Sequence, residues 1–257
     1  MSAITTPASS SSSSVAPRAV IFDAYGTLFD VHSVAAAAEQ LFPGNGQALS
    51  QLWRQKQIEY TQLRTVADPS GGHYLPFWDI TVDALRHAAA RLGIGQALTH
   101  AAEKRLMDQY ACLSAFPDTL PSLKELRESF SLPLAILSNG NPPMLDIAVK
   151  SAHMSGLFDH VLSVDSVRAY KPAAAAYELG TRAFGAAARD IVFVSSNGWD
   201  VAGATWFGYT TFWLNRAGLP VEELGIAPRG VGRDMSELVA FIEGAGPADS
   251  ALRQPGV

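Results

Sequence analysis

Apolar residues along this chain follow two rhythms. Between about residues 32 and 113 they recur at intervals of three and four, the spacing of helices with one buried face. From residue 117 onward, short apolar runs alternate with such helical stretches, and each run stops abruptly at polar residues. One further run, residues 18–22, stands alone ahead of the helical block. The first rhythm predicts helices over 34–41, 47–64, 77–92 and 99–113. Pro43-Gly44-Asn45-Gly46, Asp68-Pro69-Ser70-Gly71-Gly72 and Gly93-Ile94-Gly95 separate them. Leu49, Leu52, Trp53, Tyr60 and Leu63 carry the apolar stripe of the second helix.

The second rhythm predicts strands over 134–137, 161–164, 191–194 and 211–214, with helices over 121–130, 144–152, after Lys171-Pro172, and up to residue 207. Short apolar strands alternating with helices define an α/β fold, with a parallel sheet covered on both faces. Right-handed crossovers then bring every strand's C-terminal end to one edge, where open sheets of this type bind ligands. The expected architecture is a doubly wound, Rossmann-like core formed by residues 18–31 and 114–243. A helical cap, 32–113, is inserted directly after the first strand.

Composition narrows the functional classes. Hydrophobic residues make up 48% of the 257 and charged residues 17%, as in a globular protein. Nineteen basic against 24 acidic side chains leave a net charge of −5, which argues against nucleic acid as a partner. No apolar run approaches the ~20 residues of a membrane span, so no membrane association is expected. Cys112 is the single cysteine, and its apolar helical surroundings predict a buried, inert thiol. No Cys/His cluster has zinc spacing. Residues 1–17 are mostly Ser, Ala, Thr and Pro, with neither the charged start nor the apolar middle of a signal peptide, nor the arginines of a mitochondrial one. They read as a disordered tail, with cytoplasmic location as the default. Residues from about 244 read as a loose C-terminal tail.

The strand ends are unusual. Asp23 closes the first run and is followed by Gly26, which permits a tight turn, and by Thr27, whose hydroxyl can point back at the carboxylate. The next strand ends in Ser138-Asn139 and another in Ser195-Ser196-Asn197, three residues before Asp200. Lys171 opens a helix. Each residue alone has an ordinary explanation. Ser138 and Asn139 can cap a helix, Lys171 can be an exposed helix-start lysine, and Asp200 can offset a helix dipole. Asp23, Thr27, Ser138, Asn139, Lys171, Ser195, Asn197 and Asp200 together at one edge of one sheet make a joint coincidence improbable.

These motifs resemble the haloacid dehalogenase superfamily: Asp23-x-Tyr25-Gly26-Thr27-Leu28, Leu137-Ser138-Asn139-Gly140, Tyr170-Lys171-Pro172, and Val194-Ser195-Ser196-Asn197-x-Trp199-Asp200. In detail they resemble its type II, L-specific 2-haloacid dehalogenases, over about residues 18–225. The magnesium-dependent phosphatases of the superfamily fit less well. They carry a second Asp two places after the nucleophile, where this chain has Tyr25, with no proton to give near neutral pH. They also place a metal-binding Asp where this chain has Ser195-Ser196. Magnesium demands hard, usually anionic ligands, so the expectation is a site without metal or cofactor.

The resemblance implies displacement at carbon. Asp23 would attack Cα of a 2-haloacid opposite the halogen, leaving an aspartyl ester that water then hydrolyses. Lys171 would hold Asp23 ionised. Thr27, Ser195 and Asn197 would position Asp23, the water or the carbonyl oxygen. Asp200 would partner Lys171 or help to activate water, and Tyr177 would support the site. Arg54 matches the arginine that receives the departing halide, with Asn139 as a second halide contact. Ser138 and the backbone N–H groups near Ala24 and Tyr25 match the carboxylate grip, and Ile58, Phe77 and Trp199 the apolar wall. The stretch 66–75 is longer than the family pattern and lies beside that wall.

The implied activity is conversion of L-2-haloalkanoic acids to D-2-hydroxy acids with inversion. The partners are then the haloacid and halide, and the resemblance also implies a homodimer through the cap helices. Leu49, Leu52 and Trp53 are candidates for that interface or for the core. A phosphatase, a non-catalytic protein on the same fold, and a dehalogenase of other stereochemistry or halogen preference are the competing readings.

Overall fold

The computed structural model describes residues 16–244. The tails expected at 1–17 and 244–257 lie, apart from residues 16, 17 and 244, outside that range. Six strands form one parallel sheet: β1 (Ala19–Phe22), β2 (Leu134–Ser138), β3 (His160–Ser163), β4 (Ile191–Ser195), β5 (Thr210–Leu214) and β6 (Gly230–Gly232). Their spatial order is β3-β2-β1-β4-β5-β6. β1, β2 and β4 are buried along their whole length, which explains their unbroken apolar character.

Successive side chains point to opposite faces of the sheet. Val20 and Phe22 therefore join the larger core, beneath α5 (Thr119–Glu128), α6 (Pro142–Ser151) and α9 (Met235–Gly244). Ala19 and Ile21 join a smaller core on the other face with residues of α7 (Ala174–Phe184) and α8 (Gly198–Phe207). The chain leaves β1 toward β2 and β3 on one side and returns beside β1 as β4. Strand order thus reverses between β1 and β4, the crevice where doubly wound sheets place their ligands.

Between β1 and α5 lie a short 3-10 turn (Val31–Ser33), four α-helices and no strand: α1 (Val34–Leu41), α2 (Gly46–Ala67), α3 (Phe77–Arg91) and α4 (His100–Ala111). The interface of α2 with α3 is built around Trp53, whose indole N–H donates to Thr81 O at 2.7 Å. Leu49 and Trp53 are buried within this block, so they belong to its core; Leu52 is partly buried. No helix among the described residues is long and apolar enough to cross a membrane.

Three local expectations need correction. Cys112 is exposed, not buried, because α4 ends at Ala111 and Cys112 turns outward as its C-cap. The helix expected at Lys171-Pro172 begins only at Ala174, which leaves Lys171 in the preceding loop. β6 and α9 were not anticipated: the first is Gly-Val-Gly at the sheet edge, and the second follows Asp234, whose carboxylate accepts from the N–H groups of Ser236 and Glu237.

Candidate active site

Asp23 follows β1, and 9% of its side chain is accessible. Thr27 Oγ1 donates to Asp23 Oδ2 at 2.9 Å and accepts from Ser196 N at 2.8 Å, so the hydroxyl links the β1 turn to the β4 turn. Gly26, at φ +91°, takes the left-handed conformation that bends the chain and brings Thr27 back. Asn197 Nδ2 also donates to Asp23 Oδ2, at 2.9 Å. Ser195 Oγ accepts from Asn197 N at 3.1 Å and holds that turn in shape.

Lys171 Nζ supplies the counter-charge, 3.0 Å from Asp23 Oδ1 and 2.9 Å from Asp200 Oδ2. Both lysine and Asp200 are buried. Burial works to lower the Lys171 pKa, but the two carboxylates outweigh it and hold the ammonium above its ordinary value of 10.5. Burial raises the pKa of Asp200, with Lys171 pulling it back. Tyr177 Oη donates to Asp200 Oδ1 at 2.8 Å, which orients the carboxylate toward Lys171. Asp200 does lie in the first turn of α8, but its side-chain partners are Lys171 and Tyr177. Hydrogen bonds thus connect Tyr177 and Asp200 to Asp23 only by way of the lysine.

Asn139 reaches Lys171 from the other side. Its Oδ1 accepts from Lys171 N at 3.0 Å, which leaves its amide nitrogen as a donor toward the cavity. Ser138 Oγ accepts from Gly140 N at 3.0 Å and retains its own proton to donate. Neither residue caps α6; that position belongs to Asn141. The N–H groups of Ala24 and Tyr25 make no hydrogen bond within the described residues, so they remain available to an anion. The Tyr25 phenol is raised well above its ordinary pKa, chiefly by burial, and cannot serve as an acid near neutrality.

A small cavity opens beside Asp23. From the core side it is lined by Asp23, Tyr25, Ser138, Asn139 and Trp199, and from the helical block by Arg54, Ile58, Thr61 and Phe77. Every residue expected to face a substrate lines it except Ala24, which borders it through its neighbours in sequence. Arg54 Nη2 donates to Tyr25 O at 3.2 Å and to Asn197 Oδ1 at 3.3 Å, so its positive charge stands at the cavity wall. Thr61 escaped the sequence reading. It lies on the cavity-facing stripe of α2 with Arg54 and Ile58, at intervals of four and three, but a threonine there carries no chemical signal of its own.

Magnesium does not fit this donor set. The Lys171 ammonium already stands between Asp23 and Asp200, where a shared cation would bind, and β4 ends in neutral hydroxyls. Among the described residues, no group of three or more His, Cys, Asp or Glu could hold a metal ion.

A buried, cation-paired carboxylate at the switch point of a parallel sheet, facing an apolar cavity with an arginine in its wall, defines a hydrolase of the covalent-aspartate class. The profile of the haloacid dehalogenase-like hydrolases matches residues 17–208, and the chain belongs to that family. It is 46% identical over 211 residues to the (S)-2-haloacid dehalogenase of Pseudomonas sp. (strain YL), covering 82% of this chain and 88% of that one. A crystal structure of an L-2-haloacid dehalogenase superposes with a TM-score of 0.86 at 65% identity, over 89% of this chain and 99% of that one. The L-2-haloacid dehalogenase of Xanthobacter autotrophicus, with chloropropionic acid covalently bound, superposes with a TM-score of 0.79 at 35% identity, over 89% and 99% of the two chains.

Proposed function

We propose that this protein hydrolyses L-2-haloalkanoic acids to D-2-hydroxy acids. The observation that carries the reading is the single Asp23 carboxylate, held by Lys171, Thr27 and Asn197 against a cavity with Arg54 in its wall. The substrate carboxylate is taken by Ser138 Oγ and the free N–H groups of Ala24 and Tyr25. Ile58, Phe77 and Trp199 enclose the alkyl group. An Asp23 oxygen attacks Cα from the side opposite the halogen. The C–O bond forms as the C–X bond breaks, the halide leaves with the bonding pair, and the configuration inverts. Arg54 and the Asn139 amide stabilise the negative charge growing on the halogen. No proton need be supplied to the leaving group, which accords with Tyr25 in place of an acid.

Water then adds to the ester carbonyl carbon of Asp23. The bond from that carbon to the substrate's oxygen breaks, one proton of the water passes to the departing oxygen to give the hydroxy acid, the other passes to solvent, and the carboxylate is restored with one oxygen from water. Thr27 and Asn197 hydrogen-bond that carboxyl group, and Ser195 positions it through the Asn197 turn. The ammonium of Lys171 favours the regenerated carboxylate of Asp23, and Asp200 balances the lysine's charge. The reaction needs no metal and no organic cofactor.

The single cysteine needs no oxidising compartment and supports work in the cytoplasm. Leu49 and Trp53 are interior, whereas Leu63 and Val66 expose 57% and 78% of their surface near the end of α2, so a homodimer would draw on that end. Sedimentation or light scattering of the wild type against a Leu63→Glu, Val66→Glu variant tests it.

The activity is tested by halide release from L- and D-2-chloropropionate with EDTA present, in wild type and Asp23→Asn. Release from the L acid alone, undiminished by EDTA and abolished in the variant, is expected. Magnesium-dependent phosphate release from a phosphoester, with no halide from either acid, would overturn it.

A further inference from the structure

We propose that the loop between α2 and α3 is a latch that limits the length of the substrate's alkyl chain, with Tyr74, Gly71 and Arg168 as specificity-determining residues. The inference rests on the haloacid reading of the cavity and adds the size of acid it selects. Phe77, the apolar wall, is the first residue of α3 and follows this loop directly. Its ring lies 5.8 Å from Tyr25 on the cavity side and 6.3 Å from Tyr170 behind it. Tyr170 in turn stacks on Tyr74 at 5.0 Å and donates its hydroxyl proton to Leu75 O at 2.5 Å.

The outermost layer ties the loop to the core. Tyr74 Oη donates to Asp165 Oδ1 at 2.8 Å, and Arg168 Nη2 donates to Gly71 O at 3.0 Å. Gly71 is at φ +81°, and a Cβ there would fall 3.0 Å from Arg168 Cβ and 3.1 Å from Arg168 O. A methyl group at residue 71 would therefore require the two loops to move apart by a few tenths of an ångström. Asp68 makes the loop rigid in itself, accepting from Ser70 N and Gly72 N at 2.9 Å each.

Phe77 thus has an unbroken line of aromatic rings behind it, ending in polar bonds to the core. The free space in the cavity is about 10 Å³, room for roughly one water. Even a two- or three-carbon acid exceeds that space and must displace the walls, and the displacement needed grows with every methylene. Each further methylene must push Phe77 back, and Phe77 moves only if the loop lifts from Asp165 and Arg168. The latch therefore penalises long acids more than short ones.

The test compares kcat/KM for L-2-chloropropionate and L-2-chlorohexanoate in the full chain, for wild type, Tyr74→Phe, Arg168→Ala and Gly71→Ala. Tyr170 is left intact because it adjoins Lys171. Tyr74→Phe keeps the ring stack and removes only the Asp165 bond, Arg168→Ala removes an exposed side chain, and Gly71→Ala wedges the loops apart. The expected result is a rise of about tenfold or more in the long-to-short ratio, the scale on which apolar pockets discriminate methylenes, with the short acid's kcat/KM largely retained. An unchanged ratio, or an equal loss on both acids, overturns the latch. Absence of halide release by the wild type from either acid overturns the haloacid reading itself, and the latch with it.

Discussion

Lys171 Nζ lies 3.0 Å from Asp23 Oδ1, and the lysine side chain is 1% exposed. An ammonium so placed does two things at once. It sets a positive charge against Asp23 in a low-dielectric setting, and it fixes one of the two carboxylate oxygens. It also stands between Asp23 and Asp200, whose negative charges would otherwise face each other in the interior. Replacing Lys171 by Met is expected to leave both carboxylates without their counter-charge, and breaking a buried pair costs about 3–5 kcal/mol. If most of that falls on the displacement step, kcat drops on the order of a hundred- to a thousandfold. Halide release by Lys171→Met, with circular dichroism to verify folding, checks this. Activity within tenfold of wild type would mean that Asp23 is primed by something other than the lysine.

The same pair sets a pH expectation. Lys171 titrates above its ordinary 10.5 because the two carboxylates outweigh burial. Its contribution to stability is therefore present in full below 10.5, the value in the unfolded chain, and is lost as pH rises through the higher folded value. Asp200 is shifted up from 3.8 by burial, so the native state holds its proton more tightly than the unfolded chain does. Its contribution favours folding below 3.8 and fades as pH rises through the folded value. Asp200 is then no driver of acid unfolding, but its protonation breaks the lysine pair at a pH above 3.8. A kcat/KM profile should fall on the acid side from above that value and show no alkaline loss due to Lys171 below 10.5. An alkaline limb at pH 7–9 that vanishes in Lys171→Met would contradict the assignment.

Much of this site was legible before the fold was known. Asp23, Ser138, Asn139 and Ser195 end apolar runs, and Thr27, Lys171, Asn197 and Asp200 follow such runs closely. A parallel sheet brings all of those positions to one edge. Arg54, Ile58 and Phe77 were legible only through a family resemblance, because a helix inserted far from the strands reaches the site through tertiary packing that periodicity does not encode. Thr61 was invisible, since its side chain is small and makes its own bond to Ile58 O. Cys112 misled because burial was inferred from its neighbours, while its position just past a helix end decided the matter. β6 has no apolar run to find, being Gly-Val-Gly at an edge. α9 did carry a signal, with Met235, Leu238, Val239 and Ile242 at helical spacing and all buried.

Arg54 offers a test that distinguishes leaving-group stabilisation from general packing. Its guanidinium is held at the cavity wall by Tyr25 O and Asn197 Oδ1, close to the nucleophile's own partner. Arg54→Gln removes the charge and keeps a donor. Loss of a donor aimed at developing charge typically costs about a hundred- to a thousandfold in kcat. The loss should be largest for the substrate whose departing halide concentrates charge most. Chloride should suffer more than bromide, and bromide more than iodide, when the three 2-halopropionates are compared. An equal loss on all three would assign Arg54 to holding Asn197 and the Tyr25 turn instead.

Asp23 and water can be told apart as the source of the product's oxygen. The carboxylate is fixed by three donors, from Lys171, Thr27 and Asn197, and one of its oxygens must become the ester oxygen if it attacks Cα. Water then enters at the carboxyl carbon, so the hydroxyl of the product comes from the protein and the water oxygen stays on Asp23. With enzyme in excess over substrate in ¹⁸O-water, a single turnover should give unlabelled hydroxy acid and a labelled peptide containing Asp23. Repeated turnover should then pass the label into later product. Label in the product of the first turnover would mean that water attacks Cα directly. Asp23 would then be a base, and the bonds that aim its oxygens would serve to orient a water rather than to form an ester.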